Sequence, residues 1–93
     1  MVKSAAKIVV SGTVQGIFFR NFAKEHADKL NLKGFVRNLE NKDVEVFAEG
    51  EKENIAKLIS ALKEGPQHSQ IRSVKTEEKK WSGDLKEFKI LRF

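Results

Sequence analysis

Two segments of helical periodicity alternate with short β-branched runs along this chain of 93 residues, and this order constrains the fold most strongly. The predicted helices cover about 21–32 and 51–63, where apolar residues recur three or four positions apart. Each helix therefore has one apolar stripe, which must be buried against a sheet. The predicted strands cover 6–12, 35–39, 44–48, 71–77 and 87–92.

The order of these elements is strand, helix, hairpin, helix and strand, with one further short strand near the end. It predicts an α+β protein, a ferredoxin-like α/β sandwich of βαββαβ order with both helices on one face of a mostly antiparallel sheet. Asn21 is the expected N-cap of the first helix. The polar cluster Glu40 to Asp43 is the expected hairpin turn. Because the chain is short and has no linker, we expect one domain over 1–93.

The composition removes several classes of function. There is no cysteine, and the two histidines, His26 and His68, are not spaced as a metal pair, so we expect no metal and no cofactor. No apolar run approaches the ~20 residues of a membrane span, so we expect a soluble, cytoplasmic protein without a membrane partner. The net charge of +5 fits nucleic acid, an anionic substrate or solubility alone; the mixing of acidic and basic residues favours solubility.

The stretch Gly12 to Arg20, "GTVQGIFFR", carries the clearest sign of chemistry. It leaves a predicted strand and enters a predicted helix, where free backbone N–H groups favour an anion. Gly16 lets the backbone curl around such an anion, and Arg20 can bind it at two points. On spacing alone, a purely structural turn with Phe18 or Phe19 in the core is the favoured interpretation.

This stretch, together with "LKGFVRNLENKDVEV" from Leu32 to Val46, resembles the two signature stretches of the acylphosphatases. These are small ferredoxin-like enzymes that hydrolyse the carboxyl-phosphate bond of acyl phosphates. The resemblance extends over nearly the whole chain, through Glu49-Gly50, Gly65-Pro66 and Phe88 to Ile90. It implies a hydrolase of a small-molecule acyl phosphate. The residue inventory requires no metal for this reaction, and the lack of an obvious exposed apolar stripe predicts a monomer.

The resemblance also implies which residues form the site. Arg20 matches the arginine that holds the substrate phosphate, and Asn38 matches the asparagine that orients the attacking water. The backbone N–H groups of five residues complete the phosphate site: Gln15, Gly16, Ile17, Phe18 and Phe19. The chain departs from the family in its hairpin turn, where Asn41-Lys42 replaces the usual Asp-Gly. A second departure is Asn31 in place of a glycine, which can still adopt the left-handed conformation that closes a helix.

Two other functions remain open. A ferredoxin-like sheet with basic charge could bind RNA, although the RNA-recognition pattern is only partly matched by Lys33 to Asn38, and we expect no nucleic-acid partner. The chain could also be a non-catalytic domain like those of larger carbamoyl-transfer maturation proteins. We expect surface or loop positions for both histidines, partial core cover from Trp81, and a solvated surface charge at Arg37.

Overall fold

The structure is a computed structural model that describes residues 2–14, 17–67 and 69–92, without the side chain of Ile17. In this part of the chain the order of elements confirms the predicted βαββαβ pattern with a short extra strand. The elements are β1 (Lys3–Gly12), α1 (Ile17–Lys29), β2 (Lys33–Asn38), β3 (Val44–Glu51), α2 (Lys52–Glu64), β4 (Ile71–Lys79) and β5 (Phe88–Ile90). No helix among the described residues is long and apolar enough to cross a membrane.

The strands form one sheet in the order β4-β1-β3-β2-β5. Strand β1 is antiparallel to both β3 and β4, and β2 is antiparallel to the central strand β3. The last strand, β5, is parallel to β2. The predicted, mostly antiparallel sheet is therefore confirmed. Among the described strands, its one parallel pair is that of β5 with β2.

Both helices pack on one face of the sheet, as predicted. The side chains that alternate toward this face include Ile8, Val10, Val36 and Val46, all with 0% exposure. Burying each such side chain contributes about 1.5–3 kcal/mol, so this layer supplies most of the driving force for folding. The residues between them point to the opposite face, which we call the open face and which carries Lys7, Phe35, Arg37, Glu45, Phe47 and Glu49.

The first helix begins at Ile17, so the predicted start at Asn21 and the predicted role of Asn21 as N-cap are wrong. The reason is the buried stripe of this helix, which consists of Phe19, Ala23 and Ala27 at a spacing of four. Phe19 belongs to that stripe, so its burial places residues 17 and 18 in the first turn of the helix. The part of the signature stretch that we predicted as loop is thus helical from Ile17 onward.

The same helix ends at Lys29, before the predicted Leu32. Asn31 adopts a left-handed φ of 57°, which confirms the conformation predicted for it. Its N–H donates to the carbonyl of Asp28 at 3.1 Å, and the N–H of Leu32 donates to the carbonyl of Ala27 at 2.9 Å. These two bonds form a Schellman motif, which satisfies carbonyl groups that the end of the helix would otherwise leave unpaired.

The connection from β4 to β5 spans the full width of the sheet, because these strands lie at opposite edges. It crosses the open face and is fixed there by Glu49 of β3, which is only 3% exposed. The Glu49 carboxylate accepts the N–H of Ser82 at 3.0 Å, the hydroxyl of Ser82 at 2.9 Å and the N–H of Gly83 at 3.3 Å. These hydrogen bonds satisfy the buried carboxylate and attach the connection to β3.

We expect Glu49→Ala to lower the free energy of unfolding by about 2–4 kcal/mol, because the donors of Ser82 and Gly83 lose their charged acceptor in a buried place. Urea denaturation monitored by circular dichroism measures the change. The control is Glu64→Ala, at the exposed end of α2, for which we expect a change within about 0.5 kcal/mol. Equal effects of the two substitutions would show that Glu49 does not hold the connection.

Candidate active site

An open cleft of about 850 Å³ lies where β2 ends, between the start of α1 and the residues that follow β5. The residues beyond β5 are held beside β2, because the N–H of Leu91 donates to the carbonyl of Val36 at 2.9 Å. Three separate parts of the chain thus form its walls. Its described lining residues are Arg20, Arg37, Asn38, Leu39, Glu40, Leu91 and Arg92.

Arg20 enters this cleft from the first turn of α1, where its side chain is half-buried. Because the helix begins at Ile17, the N–H groups of Ile17, Phe18 and Phe19 have no acceptor within the helix. They form the positive end of the helix dipole. An arginine beside such a helix start is a suitable arrangement for binding a phosphate group.

Asn38 is the last residue of β2 and lines the same cleft as Arg20. Its alternation with the buried Val36 places its side chain on the helix-packed side of the sheet. The oxygen Oδ1 of Asn38 is buried and has no hydrogen-bond partner among the described residues. A buried acceptor left unpaired costs about 1–3 kcal/mol, so this position favours a water or ligand that donates to it.

Phe18 and Phe19, both predicted to contribute backbone N–H groups, differ sharply in the placement of their side chains. Phe18 is 83% exposed and Phe19 is 3% exposed, within the core. The Phe19 side chain therefore anchors the helix start, so only the backbone of this residue is available to an anion. Gln15 and Gly16 lie outside the described residues, and of Ile17 only the helical backbone is described.

Other residues singled out from the sequence lie away from the cleft. The half-buried His26 packs on Phe22 within α1, with ring centroids 4.4 Å apart. Trp81 is 44% exposed in the connection that crosses the open face and does not pack on the core, so the predicted core cover is wrong. His68 lies outside the described residues.

The hairpin turn beside Asn38 closes without the usual glycine. Lys42 adopts a left-handed φ of 75°, and its N–H donates to the carbonyl of Leu39 at 3.1 Å. Asn41 supports the turn, because its Oδ1 accepts the N–H of Asp43 at 3.1 Å. Leu39 closes the loop by donating its N–H to the carbonyl of Asp43 at 2.8 Å. The turn thus keeps its hydrogen bonds, at the cost of a strained lysine.

We expect Lys42→Gly to raise the free energy of unfolding by about 1 kcal/mol, because glycine adopts this φ without a steric cost that lysine bears. Thermal and urea denaturation measure the change. Lys42→Ala is the control, since alanine keeps a Cβ, and we expect no comparable gain. A destabilised Lys42→Gly variant would contradict this account of the turn.

Arg37 is not the solvated surface charge predicted from the sequence. It lies opposite Glu45 in the register of β2 and β3, and its Nε donates to Oε1 of Glu45 at 2.6 Å. The other oxygen of Glu45 lies 3.5 Å from Nζ of Lys7 on β1. Arg37 also lines the cleft, as do Leu91 and Arg92, whose place there the sequence did not predict. The register of the hairpin is the signal that could have revealed the pairing of Arg37 with Glu45.

Comparison with known proteins decides the family. The acylphosphatase family model matches residues 6–90. The chain belongs to the acylphosphatase family. An acylphosphatase from Vibrio cholerae serotype O1 is 40% identical over 98% of this chain and 100% of that protein. The crystal structure of an acylphosphatase from Bacillus subtilis has a TM-score of 0.90 and 32% identity, covering 95% of this chain and 98% of that chain.

The acylphosphatase fold also occurs inside a much larger protein. The crystal structure of full-length HypF, in its phosphate- and nucleotide-bound form, gives a TM-score of 0.84 at 33% identity. The match covers 97% of this chain but only 12% of the HypF chain. The free-standing Vibrio and Bacillus acylphosphatases, in contrast, match this chain over nearly their whole length.

Proposed function

We propose that this chain is an acylphosphatase that hydrolyses the carboxyl-phosphate bond of acyl phosphates, giving a carboxylate and inorganic phosphate. The observation that carries the proposal is the meeting of Arg20 and Asn38 in one cleft, with the Asn38 oxygen buried and without a hydrogen-bond partner among the described residues. The functional unit is the domain of residues 1–93, which the family match over 6–90 supports. One copy of the chain supplies both side chains, in keeping with a monomer.

The phosphoryl group of the substrate binds at the start of α1. The Arg20 guanidinium and the N–H groups of residues 17–19 donate to its oxygens, together with those of Gln15 and Gly16 as the sequence predicts. Charge that develops on these oxygens during phosphoryl transfer is stabilised by donors already in place. Because the carboxylate is a good leaving group, such stabilisation is the main demand on the protein.

The attacking water binds to the unpaired oxygen of Asn38. An amide is too weak a base to remove a proton, but it holds the water in line with the bond that breaks. The carbonyl oxygen accepts a hydrogen bond from the water, which leaves an oxygen lone pair available for attack on phosphorus. The acyl carboxylate leaves on the opposite side of phosphorus. These steps use protein groups and substrate alone, so we expect turnover to be insensitive to chelators.

The RNA-binding alternative is not favoured by the open face. Two carboxylates, Glu45 and Glu49, lie on its central strand β3 and are only 7% and 3% exposed. The connection from β4 to β5 crosses this face and is bonded to Glu49, so it covers part of the surface on which an RNA-recognition sheet would stack bases. The cytoplasmic location and the absence of a nucleic-acid partner remain predictions from the sequence.

We expect Arg20→Ala to lower kcat/KM by about a hundred- to a thousandfold, because it removes a charged donor to the phosphoryl group. We expect Asn38→Ala to lower kcat by about a hundredfold with little change in KM, since it acts on the water and not on the phosphate. Hydrolysis of benzoyl phosphate, followed by absorbance in the presence of chelator, measures both.

The matched control is Lys75→Ala on β4, which removes an equal charge at the far edge of the sheet and should leave turnover unchanged. Circular dichroism establishes that each variant is folded. Full activity in Arg20→Ala would overturn the assigned phosphate site. A folded wild-type chain without turnover would favour the non-catalytic alternative instead.

A further inference from the structure

The cleft extends beyond the groups that the proposed reaction needs. The pleat of β2 directs Asn38 and the adjacent Arg37 to opposite faces of the sheet, yet both line the cleft. The cleft therefore wraps around the end of β2, from the phosphate site on the helix-packed side to the open face. The part on the open face is where a substrate can extend its acyl group.

The cleft as a whole is positively charged. Three of the described lining residues are arginines, Arg20, Arg37 and Arg92, whereas Glu40 is the one acidic residue among them. The phosphoryl group engages Arg20. Arg37 and Arg92 then remain as cations that the chemistry at phosphorus does not use.

Arg37 is held in a defined position. Its Nε is bound to Glu45, whose side chain is 9% exposed, and Lys7 lies against the same carboxylate. Two cations thus share one anion, so the Lys7, Arg37 and Glu45 cluster keeps a net positive charge. Within the described residues, the terminal nitrogens of Arg37 have no hydrogen-bond partner, and its side chain is 38% exposed toward the cleft and solvent. The terminal nitrogens therefore remain available to donate hydrogen bonds to an anion.

We propose that Arg37, positioned by Glu45, makes this enzyme favour acyl phosphates whose acyl group itself carries a negative charge. The inference rests on the proposed function and names the substrate class of the same site. It does not require that the acyl group touch Arg37. A charge within the cleft interacts with the guanidinium over a few ångströms, and salt screens this attraction over a Debye length of ~8 Å at physiological ionic strength.

The test compares 4-carboxybenzoyl phosphate with 4-carbamoylbenzoyl phosphate, which have similar shapes but differ in charge on the acyl group. The measured quantity is kcat/KM for the carboxy compound divided by kcat/KM for the carbamoyl compound. This ratio is corrected by the same ratio of their uncatalysed hydrolysis rates. We expect Arg37→Gln to lower this ratio roughly two- to fivefold, the effect of one partly exposed charge pair. We expect Arg37→Lys to keep most of the wild-type ratio, and high salt to reduce it in the wild type.

The matched control is Lys89→Gln, which removes one charge from the same face of the sheet but from a residue outside the cleft lining. We expect it to leave the ratio unchanged. An unchanged ratio in folded Arg37→Gln, or an equal fall in Lys89→Gln, would overturn the inference while hydrolysis itself continues. If Arg37 is only structural, its loss will lower kcat/KM for both compounds by the same factor. That result also overturns the inference. Absence of turnover with either compound would overturn the proposed function as well.

Discussion

The candidate site depends on the register of the β2–β3 hairpin. Asn38 pairs with Val44, and Arg37 with Glu45, so that two adjacent residues of β2 are placed with their side chains on opposite faces at the strand end. A slip of one residue would exchange these faces and move Val36 out of the core. Burial of Val36 therefore fixes both the amide for which we propose a water-binding role and the ion-paired arginine. Stability and chemistry share one constraint here.

Hydrogen bonds outside the cleft join the elements that form its walls. Lys24 lies one turn beyond Arg20 on α1, and its Nζ donates to the carbonyl of Phe88 in β5 at 2.8 Å. On the other side of β5, the N–H of Gly34 in β2 donates to the carbonyl of Glu87 at 3.0 Å. The helix that carries Arg20 and the strand that carries Asn38 are thus both joined to the same short strand. A site built across such connected elements needs little rearrangement to bind its substrate.

The sequence was sufficient for the architecture, because both helices and the hairpin have local periodicities that short-range physics determines. It was insufficient at the start of α1, where Gly12 and Gly16 suggested a loop and the apolar spacing from Phe19 was a weaker signal. It also assigned Arg37 to the surface. With a turn over residues 40–43, the predicted strands would pair Asn38 with Glu45, one residue away from the observed register. Arg92 was expected within the last predicted strand, but its place at the cleft could not be predicted, since it depends on the parallel pairing of β5 with β2.

That parallel pairing depends in turn on the connection that crosses the open face. The strand β5 has three residues and only β2 as its neighbour among the described strands, too short a pairing to fix its own position. The Glu49 carboxylate holds Ser82 and Gly83 over the middle of the sheet, which leaves few residues to reach the β2 edge. Leu91 and Arg92 reach the cleft as a result. The open face therefore has two buried carboxylates with separate structural roles: Glu49 directs the chain to the cleft wall, and Glu45 orients an arginine within it.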